Sequence, residues 1–149
     1  MTERKGLGTF DGITHVLPIS IYYEDTDLSG LVYHANYLRY MERGRTEFFR
    51  MAGISRAELD AEEPTAWALR RIAIEYHRPA RLDDQILVRS VLTGLSGARL
   101  NVLQKVTCGD VLLVEGRIEA CMITLKGRPR RIPKKVAETL APFVTTAET

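Results

Sequence analysis

Two carboxylates, Asp25 and Asp27, stand two positions apart in the run Tyr23-Glu24-Asp25-Thr26-Asp27-Leu28-Ser29-Gly30-Leu31-Val32-Tyr33-His34-Ala35-Asn36-Tyr37. Gly30 lies three residues beyond Asp27, and His34 seven. This arrangement suits acyl transfer. The first turn of a helix presents N–H groups that have no intrahelical acceptor and carry partial positive charge. A helix starting near His34 would aim such groups at a carbonyl oxygen. Asp27, folded back by the loop at Gly30, would face the carbonyl carbon. It would attack that carbon or deprotonate a water that does. Each donor to the developing oxyanion is worth about 3–4 kcal/mol. A plainer reading of the same residues stays open, because aspartates also shape turns and a lone histidine often does no more than begin a helix.

The elements around this run must place it. Before it, His15 to Glu24 alternates, with Ile19, Ile21 and Tyr23 against Ser20, Tyr22 and Glu24, which predicts a strand. After it, Tyr37, Tyr40, Met41, Gly44, Phe48 and Met51 fall on one stripe, which predicts a helix over about 35–52. Gly53 is placed to end it. Gly44 inside the stripe costs about 1 kcal/mol against Ala, which makes sense if the helix approaches a sheet closely. Arg43 and Glu47 are expected to pair on the solvated side. Four strands follow: Ala66 to Tyr76, Gln85 to Thr93, Arg99 to Thr107 and Val111 to Leu125, the last three joined by short turns into a meander. One apolar-striped helix and one antiparallel sheet must cover each other, so the pattern predicts an α+β domain. Residues 1–13 and 143–149 read as a loose arm and tail.

The whole chain, 149 residues with 45% hydrophobic content, fits one domain. The chain carries +2 and residues 126–135 carry +6, so the remainder carries −4. Such a local basic strip predicts a local anionic partner. No signal-like or membrane-spanning apolar run is seen, so a cytoplasmic location is expected. Cys108 and Cys121 fit no redox or zinc spacing and read as buried thiols. His15, His34 and His77 offer no metal-ligand spacing, so no metal is expected. His15 and His77 read as structural, and Trp67 as packing in the sheet.

The run Asp25-Thr26-Asp27, with Gly30, Val32, Tyr33, His34, Tyr37 and Glu42, closely resembles the signature of 4-hydroxybenzoyl-CoA thioesterase-like hotdog proteins. Within them it is most similar to the tol-pal-associated acyl-CoA thioesterases of the YbgC type. Glu75-Tyr76 with Pro79-Ala80-Arg81-Leu82-Asp83-Asp84 resembles that family's link between its second and third strands. Leu125-Lys126, Pro129-Arg130 and Pro133 resemble its C-terminal end. The likeness spans roughly residues 15–135.

The resemblance implies a hotdog fold: a curved, five-stranded antiparallel sheet around one long helix. It implies that Asp27 is the catalytic carboxylate, that Asp25 is structural, and that His34 accompanies catalysis with its backbone N–H at the helix start. Tyr33 would line the acyl site. The activity implied is hydrolysis of short-chain or general acyl-CoA, with coenzyme A as part of the substrate and no further cofactor. The resemblance also implies a homodimer or homotetramer with the site at a subunit interface. Three other readings remain: a non-catalytic acyl or acyl-carrier-protein scaffold at the cell envelope, a 4-hydroxybenzoyl-CoA thioesterase, and a dehydratase acting on 3-hydroxyacyl thioesters. Lys126, Arg128 and Arg130 are candidates to hold the phosphates of coenzyme A. The strip would otherwise be a solvated tail, or meet acyl carrier protein or the anionic inner-membrane face. Nucleic acid is the least expected partner, since Pro129 and Pro133 should break any helix there and no aromatic residue is interleaved for stacking.

Overall fold

The computed structural model describes residues 6–145. Six strands form one antiparallel sheet: β1 (Thr9–Asp11), β2 (Thr14–Ser20), β3 (Thr65–Tyr76), β4 (Gln85–Ser96), β5 (Arg99–Cys108) and β6 (Val111–Thr124). Their order across the sheet is β1-β2-β4-β5-β6-β3. The meander β4-β5-β6 is present as expected, and β3 runs along the outer side of β6 with no strand on its other edge among the described residues. The long helix α1 (Asn36–Met51) packs on β2 and β4. Two short helices follow, α2 (Arg56–Leu59) and α3 (Lys134–Leu140).

The predicted stripe is the buried face of α1. Tyr37, Tyr40, Met41, Gly44 and Phe48 are all buried, while Met51 at the last turn is exposed. Gly44 sits where helix and sheet come closest. A Cβ there would lie 2.8 Å from Val88 Cγ1, 3.0 Å from Gln104 Nε2 and 3.2 Å from Ser90 Oγ. The fully buried Gln104 uses both ends of its amide. Its Nε2 donates to the Met41 carbonyl at 2.9 Å and to Ser90 Oγ at 2.8 Å, and its Oε1 accepts from Arg45 Nη1 at 2.9 Å. A buried polar network of this kind stabilises only because each member has a partner. Glu47 does not pair with Arg43 on the solvated side. It is buried and accepts from Arg50 at 3.0 Å, while Arg43 lies over the Tyr40 ring.

Four expectations change at the periphery. The sheet has six strands rather than five, because Thr9–Asp11, within the expected loose arm, pairs with β2 through Thr9↔Val16 and Asp11↔Thr14. The first strand ends at Ser20 rather than Glu24, since Tyr23–Asp25 turns as a short 3-10 helix. Part of the expected tail is fastened. Phe143 packs on Phe10 and Phe48, and the Thr145 N–H donates to the Leu92 carbonyl at 2.9 Å. Residues 1–5 and 146–149 lie outside the described residues. Pro133 does not exclude a helix but stands just before one, where its missing N–H costs nothing. Trp67 stacks on Phe49, and both cysteines are half-buried free thiols.

His15 ties the N-terminal segment down. It is fully buried against Phe10 and Phe48, and its Nε2 meets the Leu7 carbonyl at 2.9 Å as the donor. Burial holds its pKa below the ordinary 6.5, outweighing the Leu7 bond and the nearby Glu47 charge. The unfolded chain therefore takes up a proton near pH 6.5 that the folded chain resists, and stability falls as pH drops below that value. Urea titrations at pH 7.5 and 5.5 check this. The loss between them is expected to shrink in His15→Gln, and an undiminished loss would assign it to other groups.

Candidate active site

The run from Tyr22 to Asn36 is a small hairpin that delivers the chain from β2 to α1. Asp25 frames its base. One carboxylate oxygen accepts the Tyr22 N–H at 2.9 Å, and its carbonyl accepts both the Tyr33 N–H at 3.0 Å and Asn36 Nδ2 at 2.8 Å. Thr26 pairs with Val32, and the Asp27 N–H donates to the Leu31 carbonyl at 3.0 Å. Gly30 closes the loop at φ +80°, a conformation that favours glycine. The hairpin is clamped on its outer side by the 80–84 segment. Val32 N–H donates to the Ala80 carbonyl at 2.9 Å, and the Gly30 carbonyl accepts the Leu82 N–H at 3.2 Å.

Asp27 sits at the tip of this hairpin with its side chain in solvent. Its Oδ1 accepts the Ser29 N–H at 2.8 Å and the Ser29 hydroxyl. Those two bonds, the hydroxyl first, hold the carboxyl below the ordinary carboxylate range, so it is ionised at neutral pH. Ser29 engages only Oδ1 of the carboxylate.

The helix begins at Asn36, two residues after His34. Ala35 at its cap offers no side-chain acceptor. Among the described residues, no group accepts the backbone N–H of His34 or of Ala35. Two uncommitted backbone donors, at His34 and Ala35, therefore stand at the positive end of α1. His34 and Tyr33 are both exposed, with ring centroids 4.4 Å apart. Tyr22, Tyr23, Leu28 and Tyr33 leave large apolar side chains exposed along the same short stretch.

The remaining candidates lie elsewhere. Tyr76 and Thr65 are opposite ends of β3, and they pair with Val114 and Thr124 respectively. Tyr76 touches His34, whereas Lys126 and Arg128 follow directly after Thr124. Within one chain these cations are thus a full strand length from the hairpin, roughly 35 Å at the usual rise. Arg130 is not a free cation at all. Its side chain is only 9% exposed and meets Glu62 at 2.7 Å and Glu63 at 3.2 Å, so its role is to fasten the C-terminal segment to the α2–β3 loop.

Three residues beyond the expected ones build the site. Ser29 fixes the carboxylate, Asn36 fastens the helix start to Asp25, and Tyr76 donates its hydroxyl to the His34 carbonyl at 3.1 Å. The Asp27–Ser29 spacing is a recognisable side-chain-to-backbone turn signal. Tyr76 is forty-two residues from His34 and nothing local marks it.

The model of the thioesterase-like superfamily matches residues 22–140, from the start of the hairpin to the end of α3. The chain belongs to this superfamily. The acyl-CoA thioester hydrolase YbgC of Escherichia coli O6:H1 is 40% identical over 121 residues, covering 80% of this chain and 90% of the relative. The acyl-CoA thioesterase YbgC of Haemophilus influenzae is 35% identical over 120 residues, covering 80% and 88%. Among solved structures, a probable thioesterase from Bartonella henselae superposes with a TM-score of 0.77 at 36% identity, covering 80% of this chain and 99% of the other. This thioesterase has the hotdog fold, its curved sheet laid around α1. The matched span takes in Asp27, Tyr33, His34 and the basic segment after β6.

Proposed function

We propose that this thioesterase hydrolyses acyl-CoA to the free acid and coenzyme A, with Asp27 acting on the thioester carbonyl at the start of α1. The observation that carries this is the pairing of an ionised carboxylate, held by Ser29, with two uncommitted N–H groups at His34 and Ala35. A thioester carbonyl between them has its oxygen at the N–H groups and its carbon toward Asp27. As Oδ2 or a water adds, negative charge grows on that oxygen and the N–H groups stabilise it. The C–S bond then breaks, and the sulfur leaves with the electron pair and takes up a proton. If Oδ2 is the nucleophile, the product is a mixed anhydride that water cleaves. If Asp27 is a general base, the acid forms directly. Label from heavy-oxygen water appearing in the Asp27 carboxylate after one turnover marks the anhydride route.

Thiol release measured across a series of acyl-CoA chain lengths tests the activity and reads the acyl preference, for which we propose short or general chains. Absence of turnover with every member, together with tight acyl binding, points instead to a scaffold. His34→Ala is expected to retain more activity than Asp27→Asn, because the backbone donor survives the loss of the ring. Equal losses in the two variants would assign the imidazole itself a catalytic part.

A homodimer completes this proposal. The β3 edge is twelve residues long with one side unpaired, an arrangement that invites a second strand. Two-fold pairing of β3 with its copy would run antiparallel. The Thr65 end of the copy, with its Lys126 and Arg128, would then lie toward Tyr76 and His34 of the first chain. In that arrangement the cations remote from the hairpin in one chain become phosphate ligands for coenzyme A bound at the other, and Tyr33 and the exposed tyrosines are covered. A cytoplasmic location, work alongside the tol-pal machinery, and contact of the exposed basic strip with acyl carrier protein or the inner-membrane face belong to the same proposal. No helix among the described residues is long and apolar enough to cross a membrane.

A further inference from the structure

We propose that Tyr76 is a positioning residue for a second oxyanion donor, the backbone N–H of Ala35. This rests on the reading of the site above and extends it. Each free N–H at the helix start belongs to a peptide unit whose carbonyl is held. The His34 N–H shares its peptide with the Tyr33 carbonyl, which accepts the Asn36 N–H at 2.9 Å, a bond internal to the turn. The Ala35 N–H shares its peptide with the His34 carbonyl. That carbonyl is left out of the first helical turn, because the Leu38 N–H bonds to the Ala35 carbonyl at 3.2 Å instead. Tyr76 fills the gap by donating its hydroxyl to the His34 carbonyl at 3.1 Å from the end of β3.

The contact does two things. It fixes the plane of the 34–35 peptide, which has no other tertiary bond to hold it. It also polarises that peptide, since a carbonyl that accepts a bond makes its own N–H a better donor. The tyrosine is itself held, with its ring edge-on to Tyr37 at 5.7 Å and to His34 at 6.5 Å. Tyr37 in turn is buried, and its hydroxyl accepts the Ala80 N–H at 2.9 Å. The edge strand, the helix start and the 80–84 clamp are thus joined through two phenols.

Tyr76→Phe keeps the ring and removes only the hydroxyl. Steady-state kinetics are expected to show kcat reduced about tenfold, the scale of one modest hydrogen bond, with KM within twofold and the melting temperature unchanged. A second readout is the carbonyl stretch of bound acetonyl-CoA, a ketone that cannot be hydrolysed. It is expected to move to lower wavenumber on binding the wild type, and by distinctly less in Tyr76→Phe. Unchanged kcat, or a fall in kcat that follows a fall in melting temperature with no change in the carbonyl stretch, overturns the inference. Asp27→Asn run beside it separates the two claims. If Asp27→Asn keeps the wild-type rate, the reading of the site fails. If Asp27→Asn is inactive and Tyr76→Phe is indistinguishable from wild type, only the role of Tyr76 fails.

Discussion

Asp27→Asn is expected to lower the rate of acyl-CoA hydrolysis by on the order of a thousandfold, within the range for removing a positioned base or nucleophile, while the melting curve stays where it is. The two halves of the result follow from the same geometry. Asp27 is at the tip of an exposed hairpin, so its charge stabilises no buried neighbour. Asparagine keeps a side-chain oxygen to accept from Ser29, and the Asp27 backbone bonds to Leu31 and Gly30 do not depend on the side chain. The amide, however, neither attacks a carbonyl nor takes a proton from water. Thiol-release kinetics and thermal melting on the same preparation check both halves. A variant that folds normally and hydrolyses at the wild-type rate would remove Asp27 from the chemistry.

Gly44→Val is expected to destabilise the fold by roughly 3 kcal/mol through overpacking. Two effects oppose here. Replacing glycine in a helix interior gains at most about 1 kcal/mol of propensity, and valine gains less because it is β-branched. Against that, even a Cβ would stand 2.8 Å from Val88 Cγ1 and 3.0 Å from Gln104 Nε2. Neither neighbour gives way readily. Val88 is completely buried in the centre of the sheet, and Gln104 is held by Ser90, Arg45 and the Met41 carbonyl. The clash therefore wins. Urea denaturation measures the loss, and Val88→Ala in the same chain is expected to restore part of it, as contacting positions should couple. Equal stability of Gly44→Val and wild type would mean that the helix rides higher above the sheet than described.

Hydrophobic periodicity carried most of the architecture. The period-3.6 stripe placed α1 within a residue at each end, and strand patterning located five of the sheet's six strands, because a buried face must repeat with the backbone's own geometry. Elements without that periodicity were not legible. β1 has three residues and no buried side chain, so no pattern marks it. The helix after Pro133 is seven residues long, and Phe143 is anchored by rings more than ninety residues away. For the site, the local run was legible because hairpin, glycine and helix start are consecutive in the chain. The pairing of Arg130 was not legible, because charge composition does not show which cations are paired. Its partners Glu62 and Glu63 lie in a different loop, and a half-neutralised cation reads the same as a free one.

By itself the sequence determined that a carboxylate-bearing loop leads directly into the start of the helix, since Asp27, Gly30 and His34 are consecutive features of one short run. Tertiary structure alone decided what surrounds them. The sheet order brought the end of β3 against the His34 carbonyl and sent Lys126 and Arg128 to the far end of the same strand pair. Local geometry depends on neighbours in the chain, whereas these placements depend on which strand lies beside which, and that is settled only when the core is packed.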